Sequence, residues 1–393
     1  MTLDLDRGKW QRVQFGEVVE NVNENAKDPS AVGIDRVIGL EHLDPGELRI
    51  ERWGEVTPET TFTRRVRPGQ TLFGKRRAYQ RKTAYAGFDA VCSGDILVFE
   101  SADPARLLPE LLPFIAMTDG FYDKALETSA GSLSPRTRWS DLAKYEFDLP
   151  PLDQQRRIAD LLWCVERASL GQLALISSLD RCESAVIDSE ATGFQKTLTP
   201  AENLLLEGPR NGLSLSAHDE QSGYPTVTLT AIRGGEFVAE GNLKWVAVDH
   251  TTIEPFLVQD GDFFVVRGNG NRELVARGGM AREGSIPEDC FYPDLLIRLR
   301  FDPAKIIPEF AAAQWNSIGS HRTLLRVAKT TNGTYKINGK DVKNHLMWVP
   351  PRADQTRIVS KLQEVAASRI HVDGQLRNLR RLRASILDEV FKG

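Results

Sequence analysis

At 393 residues the chain is longer than one ordinary hydrophobic core organises, and it calls for two domains or more. Its 41% apolar and 8% aromatic content excludes wholesale disorder, and its richest apolar run, 107–117, is too short and proline-broken to cross a membrane. A net charge of −4 is a whole-molecule sum that leaves local basic patches open.

The opening residues 1–7 lack a basic-then-apolar signal pattern, so a cytoplasmic protein is expected. From there to residue 148 short apolar runs alternate with Gly, Pro, Asn and Asp turns. Strands are predicted at 36–40, 70–73 and 94–99, with a helix within 109–124 and a polar loop at 129–138. Residues 149–192 then read as one long helix. A second strand-rich block, 193–348, repeats the order with strands at 225–229, 262–266 and 294–298, a helix within 308–325 and a loop at 329–336. Residues 349–393 close the chain as another long helix.

The long helices are copies. Shifting the chain by 200 residues places Pro150, Pro151, Gln155, Arg157, Ile158 and Leu162 on identical residues at 350, 351, 355, 357, 358 and 362. Over 42 ungapped positions there are 10 identities, where typical residue usage gives roughly 2 or 3 by chance. The proline pair ends the preceding strand, and Asp153 and Asp354 are the expected N-caps.

Ile358, Leu362, Val365, Val372, Leu376, Leu379, Ile386 and Val390 follow an alternating 4,3 spacing interrupted by Arg369 and Arg383. The same frame in the first copy holds Ile158, Leu162, Val165, Ile176, Leu179 and Val186, diluted by Ser169, Gln172 and Glu183. Neither stripe can stay in water, so the two helices, each about 57 Å long, are expected to pack against one another. Packing of each on its own domain is the alternative. A fragment ending near Glu190 would expose its stripe and is expected to self-associate.

Catalytic patterns are near misses. The run 333–341 spaces its glycines too widely for a phosphate loop and has Asp341 where Ser or Thr belongs; Gly268-Asn-Gly270 is read as a turn. The six histidines and four cysteines show no metal-ligand spacing, and the cysteines read as free thiols. The positive signal is 64–82, with Arg64, Arg65, Arg67, Lys75, Arg76, Arg77, Arg81 and Lys82, no acid, and Phe73, Tyr79 and Gln80 interleaved. Such a segment can neutralise phosphates and hydrogen-bond base edges, although charge runs are more often solvated faces. The second block carries a thinner counterpart in Arg267, Asn269, Asn271, Arg272, Arg277 and Arg282. Arg136, Arg138, Lys329 and Lys336 are candidates from the two polar loops.

The duplicated Pro-Pro element opening a long helix, the stretch 74–82, and Cys92-Ser-Gly-Asp-Ile-Leu-Val98 together resemble the specificity subunits of type I restriction–modification systems. The resemblance covers essentially the whole chain and implies an α+β fold. Two strand-rich target-recognition domains, 1–148 and 193–348, would be separated by an antiparallel coiled-coil pair, 149–192 and 349–393. It further implies a non-catalytic subunit that reads a bipartite site on double-stranded DNA and docks two methyltransferase subunits and restriction/translocase subunits. S-adenosylmethionine, ATP and magnesium would be bound by those partners and not by this chain. The second block lacks the Lys-Arg-Arg-x-Tyr-Gln-Arg-Lys stretch, so the two domains are expected to read different sequences. Two alternatives are a related system whose partner fuses methylation and cleavage, and a helical scaffold that binds no DNA.

Overall fold

The computed structural model describes residues 5–131, 134–192, 198–233, 235–331 and 334–391. Residues 132–133 and 332–333 of the two polar loops, and the start of both the 1–7 and the 333–341 stretches, lie outside them. No helix among the described residues is long and apolar enough to cross a membrane. The chain divides into two compact units, residues 1–173 with 374–393, and 174–373. Each unit therefore holds one strand-rich block, half of the first long helix (Leu152–Thr192) and half of the second (Arg352–Phe391).

In the first unit, strands Val19–Asn21, Ile96–Ser101, Thr71–Gly74 and Thr83–Tyr85 form an antiparallel sheet in that order. A second sheet runs Gly54–Glu55, Arg36–Ile38, Ala90–Cys92, Arg64–Val66, with Arg36–Ile38 parallel to Ala90–Cys92. The expected helix within 109–124 is two pieces, Leu112–Ile115 and Asp119–Glu127, because the Thr118 hydroxyl caps the second by accepting from Phe121 N. Phe15, Phe73, Phe99, Phe114, Phe121 and Phe147 fill the main core beside Ile158, Leu162 and Val165 of the first helix and Ile386 and Val390 of the second. Both expectations for the stripes thus hold at once: the helices share a seam, and that seam also closes the domain core.

The second unit carries a six-stranded sheet, with Phe263–Val266 paired between Leu296–Leu299 and Gly278–Met280. Its predicted 308–325 helix is likewise broken, into Pro308–Asn316 and Ile318–Val327, where the Ser317 hydroxyl accepts from Ser320 N. Ile187 and Ile358 are buried in its core with Phe263, Phe310, Trp315 and Trp348, and Val186 and Leu362 pack against it. Ile176, Leu179 and Val365 are half-buried, as is Leu379 in the first unit, whereas Val372 and Leu376 are buried. Every residue of the predicted frame is buried or half-buried, whereas the off-frame Ile370 is 70% exposed.

Two local readings need correction. The long helices begin at Leu152 and Arg352, so Asp153 and Asp354 sit inside the first turn rather than capping it. The Pro151 and Pro351 carbonyls start each helix by accepting from the backbone N–H groups of 154–155 and 354–355, and the two carboxylates suit the positive end of the dipole. Gly268–Asn269 is a short strand paired with Tyr335 and Lys336, not a turn.

The repeat extends beyond the helices. Strand Gln11–Gln14 pairs with Glu146–Leu149, and Leu198–Pro200 pairs with Leu346–Trp348. Gln155 and Gln355, both buried, make matched bonds. Each Oε1 accepts from a backbone N–H, of Leu108 and Ile307, and each Nε2 donates to the carbonyl of Pro150 or Pro350.

His345 is buried in the second unit, 2.6 Å from Ser320 Oγ and edge-on to Trp315. Burial lowers its pKa from 6.5 to about 4, and burial also lowers that of His321. The unfolded chain takes up this proton near pH 6.5 while the fold resists it until about pH 4. Stability is therefore complete above pH 6.5 and falls as pH drops through that window, by roughly 3 kcal/mol for His345. Denaturant titrations at pH 7 and pH 5 should show about 2 kcal/mol of this loss in the wild type and less in His345→Gln. Equal pH dependence in the two proteins would refute it.

Candidate nucleic-acid interface

The fold distributes the basic stretch 64–82 over two sheets, and half of its eight cations meet acids from elsewhere in the unit. Arg65 pairs with Glu24 and Asp89, at 3.4 and 3.1 Å. Arg67 grips both oxygens of Glu24 at 2.7 and 2.9 Å, and that hydrogen bonding holds the Glu24 carboxyl below its ordinary range. Arg64 donates to the Ile96 carbonyl and Lys82 to the Leu40 carbonyl. Arg81 pairs with Asp119 and lies 4.7 Å over the Tyr122 ring. These five cations are spent on holding the domain together.

The remainder converges on one turn. Between strands Thr71–Gly74 and Thr83–Tyr85 the chain makes a 3-10 turn, Ala78–Gln80, flanked by Arg77 and Arg81 with φ of 54° and 53°. Left-handed backbone costs a non-glycine residue on the order of 1 kcal/mol, and such strain concentrates at functional sites. The turn is braced by the polar loop: Arg77 N donates to Pro135 O, Thr137 N donates to Lys75 O, and Arg76 bridges to Arg136. Arg76 reaches Ser134 Oγ at 2.9 Å and Asp95 at 3.5 Å. Arg136 also binds Asp95, at 2.8 Å, and its hydrogen bonds are the first cause of that carboxyl's lowered pKa. Lys75 is partly buried, and burial, reinforced by Arg64 and Arg136, lowers its pKa. Tyr79 is 57% exposed at the tip. Arg77 and Arg138 have no ion-pair partner among the described residues.

The second unit builds the same brace. Ile337 N donates to Arg267 O as Thr137 N does to Lys75 O, and Gly268 pairs with Lys336 where Arg76 bridges to Arg136. Lys329 and Lys336 face each other across the hairpin Lys329–Thr331/Thr334–Lys336, and neither has an ion-pair partner among the described residues. Asn269 Oδ1 accepts from Asn271 N, and Asn271 Oδ1 accepts from Glu273 N, shaping the loop. Arg267 pairs with Asp294, and Arg282 with Glu236 and Glu309.

A groove beside this loop is lined by Arg272, Arg277, His321, Arg322 and Arg326. Arg272 and Arg277 are held in place through Leu325 O and Asn316 O, and burial lowers the Arg277 pKa. Arg322 and Arg326, four apart on helix Ile318–Val327, are exposed and were not singled out from sequence. Their i,i+4 spacing beside a basic loop was the available signal. The phosphate-loop look of 333–341 has a local cause in its described part: Asn338 and Asp341 form a capping box on helix Gly339–Lys343. The four cysteines are free. Burial pushes the Cys92 and Cys290 thiols up to about 12.

No family model matches the chain. It is 25% identical over 365 residues to the EcoKI type I restriction enzyme specificity subunit of Escherichia coli (strain K12), covering 86% of this chain and 75% of that one. It is 24% identical over 362 residues to the StySPI type I restriction enzyme specificity subunit of Salmonella potsdam, with the same coverage. A chain of a solved type I restriction–modification assembly covers 97% of it at 18% identity, with a TM-score of 0.49. The chain, whose internal repeat recurs in the helices and in the glutamine clasps, is a homologue of the type I restriction enzyme specificity subunits.

Proposed function

We propose that the chain reads DNA as the specificity subunit of a type I restriction–modification complex, each unit reading one half of a bipartite target. The observation that carries this reading is the duplicated brace. A basic turn at Lys75–Arg77 and a basic loop at Arg267–Arg272 are each tied by a backbone hydrogen bond to a polar loop bearing further cations. Cations without acidic partners, raised on a loop fixed from behind, suit phosphates, and Tyr79, Gln80 and Asn269 offer contacts to bases. The homology to specificity subunits supports the same reading.

The subunit is non-catalytic and acts in the cytoplasm. It docks two methyltransferase subunits and restriction/translocase subunits through its long helices, and S-adenosylmethionine, ATP and magnesium are bound by those partners. The two braced loops differ in sequence, so the half-sites differ.

The test compares cations by their partners. Arg77→Ala with Arg138→Ala should weaken binding to sheared genomic DNA at least about tenfold and flatten the log–log salt dependence by about one unit per lost phosphate contact. Arg67→Ala, which removes a partner of Glu24, should leave the salt slope unchanged. Equal slopes for the wild type and the double variant, with the fold intact, would exclude this surface.

A further inference from the structure

The long helices are charged at places where they face one another. In the first unit Glu166 of the first helix meets Arg383 of the second, Oε2 to Nη1 at 2.8 Å, with side chains only 2% and 10% exposed. In the second unit Asp180 meets Arg369 at 2.9 Å. Also in the second unit, an advance from Asp180 to Glu190 is matched by a retreat from Arg369 to Arg357, so the pairing is antiparallel. We propose that these charges favour the pairing of the first helix with the second over a second copy of either one, so that a helix pairs with its own kind only when the other is absent.

The 200-residue repeat gives the contacts that a self-pair would make. Residue 383 corresponds to Glu183, so two first helices packed in the register of the first unit set Glu166 against Glu183, twice by symmetry. Residue 180 corresponds to Arg380, so two second helices in the register of the second unit set Arg369 against Arg380, again twice. The first-helix self-pair buries like charges where the native pair has opposite ones, which is strongly disfavoured in a packed interface. The second-helix self-pair sets like charges at a half-exposed position, Asp180 being 49% and Arg369 31% exposed in the native pair, so its penalty is smaller.

One native contact survives self-pairing. Arg357 corresponds to Arg157, so Glu190 would keep a cationic partner. Arg357 is 44% exposed, and a pair that exposed contributes little. The apolar stripe alone allows either helix to pair with itself, because its frame is common to both copies. The charges break that symmetry, as a polar residue does in a coiled-coil seam. This selection is independent of DNA binding.

The full chain can report on it if a protease site replaces residues 193–197 and the folded protein is then cut. The products are incubated in enough denaturant for isotope-labelled and unlabelled pieces to exchange, and native mass spectrometry then counts the pairs. The wild-type pieces should re-form the mixed pair, with each self-pair at or below about a tenth of it. The swap Glu183→Arg with Arg380→Glu sets opposite charges against Glu166 and Arg369 in the self-pairs, and should raise them at least about tenfold. Arg380 also pairs with Glu47, so the milder Glu183→Gln with Arg380→Gln, expected to give an intermediate rise, covers the case where the swap fails to fold. A statistical mixture from the wild-type pieces, or an unchanged partition in the neutral variant, would overturn the proposal.

Discussion

Gln155→Leu is expected to destabilise the first unit by about 2–4 kcal/mol, although the substitution is nearly isosteric and adds apolar surface. The Gln155 side chain is 1% exposed and binds three backbone groups. It accepts from Leu108 N and donates to the carbonyls of Arg106 and Pro150, each at 2.8 Å. Leucine leaves these groups without partners in a site that water reaches poorly, so the desolvation cost is felt in full.

Gln355→Leu should do the same in the second unit through Ile307 N and Pro350 O, slightly less because one carbonyl fewer is involved. Hydrogen exchange resolves the two effects: Gln155→Leu should lower protection in the first unit and Gln355→Leu in the second. Gln155→Glu adds a sign test. The carboxylate cannot donate to either carbonyl, so that variant should regain stability as pH falls and the glutamate protonates. Loss below about 0.5 kcal/mol in both leucine variants would show that the repeated glutamine is not what ties the helix start to the domain.

These clasps also mark how far the sequence could be read. The repeat, the apolar frame and the strand positions are local or periodic signals, and the structure follows them closely. Gln155 and Gln355 appeared as identities without a role, because the partners by which they reach the domain lie 47 to 49 residues away. The basic stretch was legible as eight charges, but Glu24, Asp89, Asp95 and Asp119, which absorb much of it, arrive from other strands and loops. The matching loop of the second unit was only partly visible. Its polar hairpin keeps the 200-residue shift, whereas Arg267 lies 192 residues after Lys75, so one ungapped shift cannot align both. Arg383 looked like an interruption of the frame. Its partner Glu166 lies off that frame, so no periodic pattern could connect them.

Arg383→Ala should be among the costliest single changes in the first unit, at about 3–5 kcal/mol. Burial already raises the Glu166 pKa, with Arg383 the main opposing influence. Glu166 Oε1 has no hydrogen-bond partner among the described residues. Removing the guanidinium leaves the carboxylate to protonate or to break open the helix seam. It also frees the Gly46 carbonyl, which Arg383 Nη2 binds. Replacing both partners, Glu166→Leu with Arg383→Met, should restore most of the loss or exceed the wild type. A buried pair seldom repays its desolvation against well-packed apolar side chains, and Leu162, Val165, Leu379 and Ile386 already surround this part of the seam with apolar surface. Denaturant unfolding of the two single variants and the double variant forms a cycle that separates the pair from each side chain's own packing. Additive losses would mean that the charges act independently. A recovered double variant would place the value of the pair in choosing which helices meet, since an apolar seam at these positions fits either helix equally well.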